Sequence, residues 1–190
     1  MKAMKNSNVK PDQGVFLISE PFLADSYFKR AVVLLSEHDA SGTLGFILNK
    51  PTEVNINDAV EDFPDFQSPL YFGGPVETDT LFYIHTIGEE LEGARQIVEG
   101  IYLGGNYDAL RQMIADGKVQ PNMIRFYAGY SGWDPSQLDH ELEEQSWLVT
   151  GFNKRFTFYD DPKCLWSQVL RSMGQEYAMM ANFPEDPALN

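Results

Sequence analysis

Gly129-Tyr130-Ser131-Gly132-Trp133-Asp134-Pro135-Ser136-Gln137-Leu138 follows the apolar run Met123 to Ala128. Together they read as a strand, a tight turn and the start of a helix. Asp134 is placed to cap that helix, because a carboxylate accepts from N–H groups that the first helical turn leaves unpaired. Pro135 suits the first helical position, and Gln137 stands where a capping-box amide reaches back to the cap. Trp133 is left between strand end and helix start, a place where binding residues often sit. The helix itself reads from Ser136 to about Gln145, with Leu138 and Leu142 facing inward.

Working outward, Phe16 to Ser19 is a short apolar run that suits a strand. Ala31 to Ser36 and Thr43 to Asn49 are two more, joined through Glu37-His38-Asp39-Ala40-Ser41-Gly42 as a hairpin with a longer loop. Pro51 stops the second of them, and Ile56 to Phe63 reads as a short helix. Leu70 to Phe72 and Leu81 to Thr86 are strands flanking a Gly73-Gly74-Pro75 turn, and Ile97 to Gly104 is another strand. Asn106 caps a helix that runs to about Asp116 and stops at Gly117, with Leu110, Met113 and Ile114 as its apolar stripe. A short strand is expected within Thr157 to Phe158, then a last helix from Cys164 to about Met173. A strand-rich first half and a helix-richer second half argue for an α+β fold. The expected organisation is a flexible arm over residues 1–13, one domain over 14–183 and a short tail over 184–190.

Composition narrows the function classes. The chain has 190 residues, 43% hydrophobic and 13% aromatic, enough for one domain with a sizeable core. Its 28 acidic against 14 basic side chains leave a formal charge of −14. A field of that sign repels phosphates, which argues against direct nucleic-acid binding. Cys164 is the single cysteine, so no internal disulfide can form and a reducing cytoplasm suits the chain. No apolar run approaches the ~20 residues that cross a membrane, and residues 1–13 lack the apolar stretch of a signal peptide.

Four blocks in order carry a resemblance. They are Gly14, Leu17, Pro21, Asp25 and Phe28; then His38, Gly42, Gly45, Asn49 and Pro51; then Gly73-Gly74-Pro75-Val76 with His85. The last holds Gly129-Tyr130, Gly132-Trp133, Gln137-Leu138, Glu141 and Trp147. From about Gly14 to Gly174 the chain resembles the YqgE/AlgH family of bacterial proteins. That resemblance implies a barrel-like, mostly antiparallel or mixed sheet flanked by helices. The family is largely uncharacterised, and a few members are described as regulators of transcription. Two departures stand out. Ser131 replaces the usual alanine, and Gly104-Gly105 lacks a hydroxyl-rich element associated with the family.

No complete catalytic set is legible. Gly129-x-Ser131-x-Trp133 nears a nucleophile elbow but has Trp133 where the elbow needs glycine, and His140 is poorly placed to serve Ser131. His140-Glu141-Leu142-Glu143-Glu144 begins like a zinc-protease helix, but Glu144 stands where the second histidine belongs. Glu141 can instead orient Gln137, one turn earlier on the same face. Gly73-Gly74 lacks the lysine and spacing of a phosphate loop and reads as a closely packed turn. His85 lies inside a strand, where a hydrogen-bonded structural role is the commoner one. Trp147 and Trp166 read as core aromatics. Candidate binding residues are therefore His38, Asn49, Gly73, Gly74, His85, Trp133, Gln137 and Glu141, with no metal site, no cofactor and no catalytic residue assigned. The reading is a non-enzymatic binding or regulatory module that meets a protein partner or a small ligand, with its acidic helix suited to a basic partner. The alternatives are an acid/base enzyme using His38 or His85 with a carboxylate such as Asp25 or Glu141, and, last, a direct DNA-binding regulator.

Overall fold

The computed structural model describes residues 9–184. The expected arm therefore falls largely, and the tail almost wholly, outside the described residues. Ten strands form one sheet in the order β10-β1-β2-β3-β9-β6-β8-β7, with β4 and β5 off this path. Their spans are β1 (Phe16–Ser19), β2 (Val32–Asp39), β3 (Gly42–Ile47), β4 (Pro51–Asn55), β5 (Pro69–Phe72), β6 (Val76–His85), β7 (Arg95–Val98), β8 (Ile101–Leu103), β9 (Ile124–Trp133) and β10 (Trp147–Thr150). The helices are α1 (Ile56–Ala59), α2 (Tyr107–Ala115), α3 (Gln137–Glu143), α4 (Lys154–Thr157), α5 (Pro162–Ser172) and α6 (Gln175–Met180). Every pairing is antiparallel except β5 with β9. This is the expected α+β class.

The sheet curls without closing. β7 and β10, the two ends of the path, do not pair with each other. Side chains tie β7 to β2 and to the segment before β1 instead: Arg95 meets Glu37 of β2 at 2.5 Å, and Gln13 Nε2 donates to the Ile97 carbonyl at 2.7 Å. The barrel likeness is thus one of curvature, and the ladder stays open.

β1 and β2 read as unbroken apolar runs because both of their faces are covered. Phe16, Ile18 and Leu34 point into the curl with Phe46, Tyr127 and the α5 residues Leu165, Trp166, Val169 and Leu170. Leu17, Val33 and Leu35 point the other way, into a second core with Trp133, Leu138 and Trp147. A third core packs Leu110 and Ile114 of α2 against Tyr83, Ile124 and Phe126. Asn106 accepts from the Ala109 N–H at 3.0 Å and caps α2, as its position predicts.

Four local expectations change. The strand expected to end at Ala128 continues to Trp133, because Gly129 adopts φ +68° and lets the backbone bulge rather than turn. A Cβ there would lie 2.5 Å from the Val76 carbonyl oxygen, so only glycine fits. Before that bulge β9 pairs β5 and β6; after it, β9 also takes β3 as a partner. Ile97 to Gly104 is a hairpin of β7 and β8 rather than one strand, since Gly100 turns the chain at φ +75°. Thr157 closes the short helix α4, capped by Asn153, where a strand was expected. β3 does end before Pro51, as expected, and Pro51 also opens β4 opposite Tyr71. The helix expected over Ile56 to Phe63 is a single turn.

Candidate functional site

Trp133 ends β9 opposite Thr43 of β3, and α3 begins four residues later. Asp134 does not cap α3. The helix starts at Gln137 after Ser136, which bends the chain at φ +64°. The amide still reaches back: Gln137 Oε1 accepts from the Asp134 N–H at 3.0 Å. Gln137 Nε2 in turn donates to Glu141 Oε1 at 2.8 Å. The other carboxylate oxygen, Oε2, accepts from both indoles, Trp133 Nε1 at 2.9 Å and Trp147 Nε1 at 2.7 Å. The two indoles meet edge to face at 5.8 Å, and Phe28 packs on both. One carboxylate therefore holds two nearly buried tryptophans and the first turn of α3 in register. Bonds to an ionised acceptor are the stronger kind.

Three adjoining hollows surround this network. One of about 340 Å³ is lined by Glu37, Asp39, Ser41, Tyr130, Trp133 and Asp134. A second of about 290 Å³ brings His38 beside Asp134 and Asp139. A third of similar size lies over Asp25, Phe28, Gln137, Glu141 and Trp147. The Ser41 hydroxyl and N–H hold the Asp39 carboxyl below its ordinary value. Asp39, Asp134 and Asp139 are exposed, so this end of the molecule presents negative charge.

The remaining candidates lie apart. His38 Nδ1 is hydrogen-bonded to Thr43 Oγ1 at 2.7 Å, at the Trp133 end of the sheet. His85 pairs with Ile124 at the opposite end of β9, roughly 25–30 Å away at about 3.3 Å per residue. Its Nε2–H donates to the Gly104 carbonyl at 2.8 Å, and its Nδ1 accepts from the Ile87 N–H at 3.2 Å. Burial pushes this imidazole below its ordinary pKa, against the smaller effect of the Gly104 bond. Asn49 accepts from the Val32 N–H and donates to the Arg30 carbonyl, tying the end of β3 to the start of β2. The structure therefore does not gather His38, Asn49 and His85. Gly73 and Gly74 sit under β9, where a Cβ would lie 2.2 Å from the Gly129 oxygen and 2.3 Å from Tyr130 backbone atoms respectively. Ser131 is buried and donates to the Gly73 carbonyl at 3.0 Å. Among the described residues no three His, Cys, Asp or Glu side chains are grouped to hold a metal ion.

Two residues escape a reading of the sequence. Phe28 signals nothing about its packing on a tryptophan more than a hundred positions away. Arg125 carries a visible signal, a lone cation in the apolar strand Ile124-Arg125-Phe126-Tyr127, and it is buried.

The AlgH-like family model, DUF179, matches residues 16–178. The chain belongs to the AlgH-like family. Relatives agree along the whole length. A UPF0301 protein of Chlorobium limicola is 42% identical over 98% of this chain and 100% of its own. One of Bacteroides thetaiotaomicron is also 42% identical, over 98% of this chain and 95% of its own. Among solved structures, the AlgH protein from Pseudomonas aeruginosa superposes with a TM-score of 0.72 at 28% identity, covering 95% and 98% of the two chains. Protein DIP2367 from Corynebacterium diphtheriae shares the fold, with a TM-score of 0.78 at 21% identity and 95% and 96% coverage. Among the described residues of this AlgH-like chain, no helix is long and apolar enough to cross a membrane.

Proposed function

We propose that this AlgH-like protein is a non-enzymatic binding module of the cytoplasm, engaging a protein partner or small ligand at the hollows around Trp133. One observation carries the reading. Glu141, Trp133, Trp147 and Gln137 satisfy one another, so the wall of the hollows is rigid while exposed polar groups of Ser41, Asp134 and Asp39 line the opening. A recognition surface needs such preorganised support. The other chemistry-bearing groups are already occupied: Ser131 on Gly73, and His85 on Gly104 and Ile87. The charge of −14 favours a basic partner over nucleic acid, so any influence on transcription passes through that partner.

Affinity capture from bacterial cytosol tests this, comparing wild type with a Ser41→Arg, Asp134→Lys variant altered only at exposed positions. A component retained by the wild type and lost from the folded variant supports the reading. Identical eluates overturn it and direct attention to catalysis at His38 or His85.

A further inference from the structure

A second cleft, of about 470 Å³, opens near the other end of β9, walled by Tyr71, Asn122, Arg125, Phe158, Tyr159 and Asp160. Arg125 is only 7% exposed. Its Nη1 donates to the carbonyls of Leu48 and Thr157, both at 3.0 Å, and its Nη2 to that of Tyr159 at 2.7 Å. The guanidinium carbon stands 4.5 Å from the Tyr71 ring centre and 5.8 Å from that of Phe158. These contacts orient the cation but do not neutralise it. The ion pairs among the described residues are Arg95–Glu37 and Lys118–Asp116, and Arg125 is in neither.

Nor do the nearby phenols supply the missing charge. Burial raises the pKa of both Tyr71 and Tyr127, more than the Arg125 cation lowers it, so both stay neutral. The Tyr127 hydroxyl lies buried beside the guanidinium without a well-aligned partner, and the Thr157 hydroxyl is also buried and unpartnered. A guanidinium keeps its charge at any ordinary pH, and the three carbonyl bonds use only three of the five N–H donors of Arg125, leaving one on Nη2 and that on Nε for an oxyanion. The cleft falls within the size range of small-molecule sites, and its ring-bearing walls suit an apolar or planar body.

We propose that this cleft binds a small organic anion, with its phosphoryl or carboxylate oxygens on Arg125 and its body along Tyr71, Phe158 and Tyr159. Asp160, exposed at the rim, is the acidic side chain lining the cleft, and it opposes the ligand's charge. The site is separate from the Trp133 hollows and stands whether or not they bind a partner.

The test is an NMR titration of the isotope-labelled full chain with phenyl phosphate, benzoate, inorganic phosphate and phenol. Phenyl phosphate or benzoate is expected to give saturable shifts at Tyr71, Asn122, Arg125 and Tyr159, exceeding those from phenol. Comparison of the two ring-bearing anions distinguishes a phosphoryl from a carboxylate head, and inorganic phosphate shows how much the head binds alone. Asp160→Asn is expected to tighten binding about two- to fivefold at low salt, an effect that added salt reduces. Arg125→Met is expected to abolish it; because that variant also loses three ties to the backbone, Asp160→Asn serves as the folding-neutral probe. The proposal is overturned if neither organic anion shifts these residues up to about 10 mM, a range covering even millimolar affinity. It also fails if phenol shifts them as much as the anions do, or if Asp160→Asn leaves the affinity unchanged.

Discussion

The two ends of β9 solve the same problem with opposite charges. Toward its start, a buried cation is held by backbone carbonyls and ring faces, and no side chain balances it. At its finish, a carboxylate is held by side-chain donors, two indoles and an amide, which use both of its oxygens. The difference bears on what each end can do. Glu141, with both oxygens engaged, acts as a strut behind the hollows, whereas Arg125 keeps two N–H donors that its three carbonyl bonds do not use. A charge whose oxygens are all engaged supports a surface; one with donors left over beside a cleft invites a ligand.

The sharpest way to break this comparison is Gly73→Ala, because Gly73 lies between the ends and hydrogen-bonds to β9 through Ala128 and Ser131. A Cβ 2.2 Å from the Gly129 oxygen cannot be accommodated without moving backbone. A loss of about 4 kcal/mol or more, or no native protein, is expected in chemical denaturation. Next in size is Arg125→Met, which strips donors from three carbonyls and is expected to cost about 3–4 kcal/mol. Glu141→Ala should cost about 2–3 kcal/mol, since it leaves two indole N–H groups without their acceptor. Glu141→Gln should cost less, because an amide oxygen in the place of Oε2 keeps both indoles bonded while its NH2 group gives up the bond from Gln137 Nε2; equal losses in the two variants would show that the indole bonds do not matter.

The pH dependence separates the ends in a subtler way. His85 is buried neutral near the Arg125 end, with its pKa below the ordinary value of 6.5. The unfolded chain then binds the proton more readily than the native one, so this contribution is complete above about pH 6.5 and is lost as pH falls through the native pKa. The slope is at most about 1.4 kcal/mol per pH unit. Denaturation midpoints of wild type and His85→Gln, compared between pH 7.5 and 5, should converge toward the acid side. The smallest effect on stability is expected from Asp134→Lys, within about 0.5 kcal/mol, because the side chain is exposed. Should that variant destabilise strongly, Asp134 is structural and the Trp133 hollows lose their free rim.

Features decided within a few residues were legible in the chain. The hairpin of β2 and β3, the Asn106 cap with its Gly117 stop, and the Gln137 reach-back all depend on neighbours close in sequence. The glycines of β9 misled for the same reason. Locally Gly129 signals a turn, and only pairing with β3 and β6 makes it a bulge inside a longer strand. β10 is a visible apolar run, but its strand character comes from β1, more than a hundred positions earlier. The separation of His38, Asn49 and His85 was equally hidden, since strand order, not spacing, decides which ends of strands share an edge.

The order of residues alone determined the α+β class, the family, the excess of negative charge, the Asn106 cap and the turn between β2 and β3, all of which rest on local hydrogen bonding, local pattern or a plain count. The tertiary structure alone decided that Glu141 braces two tryptophans and that Arg125 lies buried without a carboxylate. The reason is physical: a charge's energy depends on the few groups within about 3–4 Å of it. For Arg125 those groups arrive from Leu48, Thr157 and Tyr159, which no local pattern places beside it.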